Sequence, residues 1–283
     1  MNGPLPLVVT GPEAAGLSLM RDALAGSNLI DTSHLGLSLG MADWKVVLRH
    51  PSVSSAHYVM GGGPQGFGQP GVEEAVLRLG DGARMIVLLR DPADRLLAQY
   101  RRLRLAREPE ALQVAFDVFV HRGAQPVDPG RPRSVAQEAV AASRYLDPVR
   151  RLIANLGDDL LRVVHYETLT SSWAWVSELE RFLGFEAGDL PRITPFPAST
   201  IVARSPFARD LARRVGHSRA RRLVPIGVRR DIRRLDLHWP AEPHERPGLL
   251  DARELLLRET EEVADLLGEL PPWATLQRVV RVY

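Results

Sequence analysis

The 283-residue chain contains no cysteine, which excludes disulfides, thiol nucleophiles and zinc–thiolate sites. It contains a single lysine, Lys45; every other strong cation is an arginine. Chemistry that needs a compact ammonium at a reacting oxygen therefore has one candidate, because arginine's broad planar fork replaces it poorly. No apolar run approaches membrane-spanning length, and the N-terminus lacks a basic segment followed by a signal-length apolar core. These absences predict a cytoplasmic chain with no membrane insertion. No Gly/Ser linker, charge block or internal repeat divides the sequence, so one domain over 1–283 is expected. At 45% hydrophobic and 25% charged residues the chain can fill a sizeable core, while a net charge of +2 says little about partners.

What is present is an alternation of apolar runs and helical periodicities. Leu5 to Gly11 reads as a buried strand running into a small-residue loop, Gly11 to Gly16, with a helix over Leu19 to Leu24. Trp44 to Arg49 reads as a second strand, Gly61 to Gly71 as a loop, and Val72 to Leu79 as a short helix. Leu112, Phe116, Phe119 and Val120 give one amphipathic stretch over 110–122, followed by a loop from Gln125 to Pro132. Tyr145, Val149, Leu152, Ile153 and Leu156 mark a helix closed by Gly157; Leu161 to Tyr166 is a strand; Val176 to Leu183 is a helix ended by Gly184. Asp251 is expected to cap a last helix carrying a Glu254–Arg258 pair. Strands separated by helices predict an α/β fold of three layers around a mostly parallel sheet.

The densest signal lies at 85–107. Met85 to Leu89 is a fully apolar strand. Asp91 offers an N-cap oxygen, Pro92 suits the first helical position, and Asp94 stands where a capping-box carboxylate belongs. Arg101, Arg102, Arg104 and Arg107 gather towards the far end of the helix, where its dipole favours cations. Capping and a buried ion pair account for Asp91, Asp94 and Arg95. Arg90 stands at the strand–helix junction, a place where α/β sheets bind anions.

The run Arg90-Asp91-Pro92-Ala93-Asp94-Arg95 resembles the 3′-phosphate-binding segment of the sulfotransferases that use 3′-phosphoadenosine 5′-phosphosulfate (PAPS). Ser143-Arg144-Tyr145, the run from Leu160 to Leu169 with Tyr166-Glu167-Thr168-Leu169, and Phe182-Leu183-Gly184 are similar to that family's later strand, its "YE-x-L" turn and its "FLG" helix end. The stretch from Arg246 to Leu250, with Val263 to Gly268 and Trp273, is similar to the C-terminal end of bacterial members.

The resemblance implies a P-loop-like phosphate-binding turn after the first strand, formed by Ala15, Gly16, Leu17 and Ser18, and a 3′-phosphate held by Arg90. It also shows departures. Ala14 occupies the cation position of the loop and Leu17 a threonine position; Ser54 stands where a Lys-Thr-Pro lysine is usual; Ala98 replaces a serine that assists the 3′-phosphate. Arg204 and Arg209 open an arginine-rich stretch reaching Arg234, where the family folds a basic loop over the adenosine. His57 is the leading candidate base for an acceptor hydroxyl, with Lys45, Glu13 and His50 as rivals; His165, in an apolar strand, reads as a core residue.

The implied activity is sulfuryl transfer from PAPS, without a metal, to a hydroxyl of a small metabolite, glycan or glycolipid. A sulfotransferase-fold protein without PAPS chemistry, either a non-catalytic binding partner or an enzyme with another anionic donor, is the alternative. An anionic-surface binder acting through the arginines is a third reading. Nucleic acid is disfavoured as a partner, because aromatics are not interleaved with those arginines and acidic residues balance them.

Overall fold

The computed structural model describes residues 7–17, 20, 24, 58–62, 67, 73, 76, 77, 83–171, 174–190 and 241–277. Strands β1 (Leu7–Gly11), β2 (Tyr58–Gly62), β3 (Arg84–Leu89) and β4 (Leu161–His165) form a parallel sheet in the order β2-β1-β3-β4. Leu7 pairs with Arg84, and Leu89 pairs with His165, so β3 is central and lies beside β1 as expected. Strand β2 corrects the sequence reading. Gly61 and Gly62, expected in a loop, pair with Thr10 and Gly11. The unmet N–H and C=O groups along that side of β1 need partners, and this outweighs the weak strand preference of glycine.

Side-chain alternation explains the three layers. Val8, Met85, Val87 and Leu89 pack with Val149, Leu152 and Leu156 of α5 (Leu146–Leu160) and with Trp273. Leu7, Val9, Ile86 and Leu88 pack on the opposite face with Met20, Leu24 and the Trp175, Val176 and Leu179 side chains of α7 (Ala174–Leu183). Gly157 (φ 67°) breaks α5 where the sequence places its end. A second, helical core joins α1 (Pro92–Leu105), α3 (Phe116–Ala124), α4 (Val135–Ala141) and α8 (Arg246–Leu267) through Leu96, Tyr100, Phe116, Phe119 and Leu249.

Four further expectations change. The amphipathic stretch at 110–122 is two helices, α2 (Pro109–Gln113) and α3, parted by an extended Val114. Leu112 consequently faces solvent, 46% exposed, and is no core residue. Asp251 lies inside α8 and caps nothing. Pro247 sets the start of that helix a turn earlier, and the side chain of its N-cap residue Glu245 is taken by Arg101. Arg258 pairs with Glu262 at 3.3 Å, not with Glu254, and such an exposed pair contributes little. Tyr166, read as the end of the β4 strand, begins α6 (Tyr166–Ser171).

Among the described residues no helix is long and apolar enough to cross a membrane.

Candidate functional site

The carboxyl ends of β1 and β3 lie side by side, and the chain turns sharply after each. Beyond β1, Ala15 N–H donates to the Pro12 carbonyl at 3.2 Å, and Gly16 O then accepts the Met20 amide at 3.1 Å. Ala14 and Gly16 both take positive φ, 67° and 99°. For Ala14 this costs about 1 kcal/mol, which the turn must offset elsewhere. Gly16 is required twice over. Its backbone angle disfavours any side chain, and a Cβ there would sit 2.6 Å from the Tyr166 ring.

Beyond β3, Arg90 is nearly buried, 7% exposed. Its Nη1 donates to the Ala14 carbonyl at 3.3 Å, and its guanidinium lies 4.8 Å from the centre of the Tyr166 ring. The Arg90 carbonyl accepts the Tyr145 hydroxyl at 3.0 Å. Burial pushes the Tyr166 hydroxyl up to about 12, so the ring under Arg90 stays neutral. No carboxylate among the described residues hydrogen-bonds to the Arg90 side chain.

Asp91 caps α1 as the sequence predicts, its Oδ1 accepting the Ala93 and Asp94 amides at 3.0 Å. The reciprocal half of the cap departs from expectation. Asp94 turns to Arg253 at 3.5 Å, and the Asp91 N–H donates instead to Glu167 Oε1 at 2.9 Å. Thr275 adds two bonds to the Asp91 carboxylate, from its backbone N–H at 2.7 Å and from its hydroxyl at 2.8 Å. Burial pushes the Glu167 carboxyl up to about 7, against the Asp91 hydrogen bond and the charge of Arg90, which pull it down.

Arg95 is a second correction. It is fully buried as expected, but among the described residues it makes no ion pair. Its Nε and Nη2 donate to Ser143 Oγ at 3.0 and 2.7 Å, its Nη2 to the Ala139 carbonyl at 2.6 Å, and its Nη1 to the Glu13 carbonyl at 3.0 Å. Burial draws its guanidinium down to about 10, so it is still charged at neutral pH.

The structure thus brings Glu13, Ala15, Gly16, Leu17 and Arg90 around one turn. The Glu13 side chain forms an ion pair with Arg102 of α1. Ala15 is buried, and Leu17 packs with the core under β1. Ala98 is buried in α1 and offers only a methyl group where the resembled family has a hydroxyl. Ser18, Lys45, His57, Arg204 and Arg209, with Ser54, His50 and the expected strand at 44–49, lie outside the described residues. His165 is buried as read, its Nε2 2.9 Å from Glu269 and its ring edge-on to Trp273, while its Nδ1 has no partner among the described residues.

Sequence reasoning named Tyr145, Tyr166 and Glu167 in motifs but did not place them, with Thr275, around the Arg90 junction. Thr275 carried no local signal.

No family model matches the chain, and no curated protein matches it in sequence. Solved structures do match. A sulfotransferase from Alicyclobacillus acidocaldarius is similar over 95% of this chain and 98% of its own, with a TM-score of 0.53 and 16% identity. The sulfotransferase domain from the curacin biosynthetic pathway matches over 96% of this chain and 100% of its own, at 15% identity and a TM-score of 0.43. At these identities the first likeness is one of fold: the α/β sheet and its helices have a sulfotransferase-type arrangement.

Proposed function

We propose that this chain is a PAPS-dependent sulfotransferase acting on a hydroxyl of a small metabolite, glycan or glycolipid. The observation that carries the reading is Arg90. It is a nearly buried cation with no carboxylate hydrogen-bonded to its side chain among the described residues, at the carboxyl end of the central strand, and it touches a turn with two positive-φ residues. A nearly buried cation gains from an anion that hydrogen-bonds to it directly. The residues present fit such a cofactor in part. Arg90 would hold the 3′-phosphate, and the backbone of Ala15 to Leu17 with Ser18 the 5′ end. Ala14 and Ala98 contribute no polar side chain, and Arg204 and Arg209 are proposed to supply charge over the nucleotide.

When bound, PAPS supplies an activated sulfuryl group whose S–O bond to the 5′-phosphate breaks as the acceptor oxygen bonds to sulfur. The chain's task is positioning and charge stabilisation. Tyr166, beneath the guanidinium, and Tyr145, on the Arg90 carbonyl, fix the direction of that cation. His57 is proposed to take the acceptor's hydroxyl proton. Lys45 is a rival for that role; Glu13 is the weaker one, because Arg102 holds its carboxylate.

The absence of side-chain donors at Ala14 and Ala98 favours a second reading, a sulfotransferase-fold protein that binds a nucleotide anion without transferring sulfate. Incubation with PAPS carrying radiolabelled sulfate and a panel of hydroxylated acceptors separates the two. Transfer by the wild type, reduced by about two orders of magnitude in Arg90→Ala, is the expected result. Nucleotide binding without transfer to any acceptor selects the second reading, and neither binding nor transfer overturns both.

A further inference from the structure

Two arginines of one strand–helix junction hold consecutive carbonyls of the turn after β1. Arg95 donates to Glu13 O at 3.0 Å and Arg90 donates to Ala14 O at 3.3 Å. In a trans peptide the N–H points opposite to the C=O of the same unit. No cis peptide occurs among the described residues. Fixing the Glu13 and Ala14 carbonyls towards the arginines therefore turns the Ala14 and Ala15 amides away from them. The Ala15 amide closes the turn on Pro12. The same clamp holds Ala14 at φ 67°, a conformation that an alanine does not choose unaided.

Arg95 is suited to this work and poorly explained otherwise. Its guanidinium is fully buried, meets no carboxylate among the described residues, and lies against one hydroxyl and two carbonyl oxygens. Those neutral acceptors satisfy its hydrogen bonds but leave its charge uncompensated. The surrounding acids are engaged elsewhere: Asp91 by Thr275 and the α1 amides, Asp94 by Arg253, Glu13 by Arg102. A full positive charge thus sits directly behind the turn whose own cation position is Ala14.

We propose that Arg95 is a positioning residue for the anion-binding turn, setting its backbone through the Glu13 carbonyl and placing behind it the positive charge that Ala14 lacks. The proposal deepens the sulfotransferase reading and rests on it for the identity of the ligand. It needs only that the turn binds an anion at the 5′ end. Lysine does not reproduce the role, because one ammonium cannot span Ser143, Ala139 O and Glu13 O as the planar fork does.

The test is calorimetric titration of wild type, Arg95→Lys and Ser143→Ala with pyrophosphate, with 3′-phosphoadenosine 5′-phosphate and with adenosine 3′-phosphate, folding being checked by thermal melting. Ser143→Ala removes the hydroxyl that anchors Arg95 and leaves the turn itself untouched. Arg95→Lys is expected to weaken the two ligands with a 5′-type anion by about tenfold or more. Adenosine 3′-phosphate, held at Arg90, should change little, and Ser143→Ala should give a smaller loss in the same direction. A purely structural arginine would lower the melting temperature and weaken all three ligands alike, or none, and that outcome overturns the proposal. If the wild type binds pyrophosphate but neither nucleotide, and Arg95→Lys weakens pyrophosphate, the positioning role stands and the PAPS reading falls. If the wild type binds none of the three, both fall.

Discussion

Glu167 accepts the backbone N–H of Asp91 at 2.9 Å, closing across 76 residues the cap that Asp94 leaves open. One hydrogen bond thereby ties the β4–α6 turn to the β3–α1 junction that carries Arg90. The same carboxyl is poised near neutrality, because burial pushes it up to about 7. A glutamic acid at this place can therefore report on pH as well as hold the junction.

That position gives a signed pH dependence. The folded-state value of Glu167 lies above its ordinary 4.5, so its contribution to stability is fully present below about 4.5 and is lost as pH rises through about 7. Glu167→Gln keeps an oxygen for the Asp91 amide and removes the ionisation. The variant should melt close to wild type at pH 5 and about 2–4 °C higher at pH 8, a difference on the order of 1 kcal/mol. Equal melting temperatures at both pH values would contradict it.

Thr275 clasps Asp91 twice, through its amide and its hydroxyl, and fastens the 271–277 segment over the junction. Thr275→Val removes one charge-assisted bond in a buried setting and should cost about 1–3 kcal/mol in chemical denaturation. Thr275→Ser should cost clearly less. A valine variant as stable as wild type would mean the clasp contributes nothing.

Gly16 meets the Tyr166 ring of α6 in the turn after β1. Gly16→Ala forces a side chain into a positive-φ position and into the tyrosine ring, so it should destabilise the fold by about 1–3 kcal/mol. It should also weaken pyrophosphate binding in calorimetry. Tyr166→Leu in the same chain should relieve the contact and recover part of the stability, though the backbone strain stays. No recovery would show that the backbone angle alone sets the cost.

Arg101 and Glu245 form a buried ion pair between α1 and the start of α8. Burial pushes the Glu245 carboxyl up, but the hydrogen bond from Arg101 and the Glu242 amide outweigh it and hold the carboxyl below its usual range. Arg101→Met strands that charge and should cost about 3–5 kcal/mol. Arg101→Met with Glu245→Leu should be markedly milder, as urea unfolding of both variants would show.

The parts of this molecule legible from sequence are those with short-range causes. The β3–α1 junction was readable because an apolar run, an N-cap aspartate and a following proline act within a few residues of each other. Gly184 and Gly157 marked helix ends for the same reason. Strand β2 was not readable, since Gly61 and Gly62 are strand residues only because β1 stands beside them. Glu167 and Ser143 stood in recognised motifs, but their contacts with Asp91 and Arg95 arrive from distant parts of the chain, and Thr275 has no local pattern to announce it. Asp251 shows the converse failure, a good capping residue overruled by Pro247 a turn earlier. At the site, Arg90 and Gly16 were named from sequence and meet in space through Ala14 and Tyr166.

The central claim is that Arg90 completes a site for a 3′-phosphorylated adenosine nucleotide. Calorimetric titration of 3′-phosphoadenosine 5′-phosphate into wild type and Arg90→Ala tests it most directly. The account predicts saturable binding by the wild type, with affinity about a hundredfold weaker in the variant, since a charge-assisted contact in a nearly buried setting contributes about 3 kcal/mol. Equal binding by the two proteins, or none by the wild type, would contradict it.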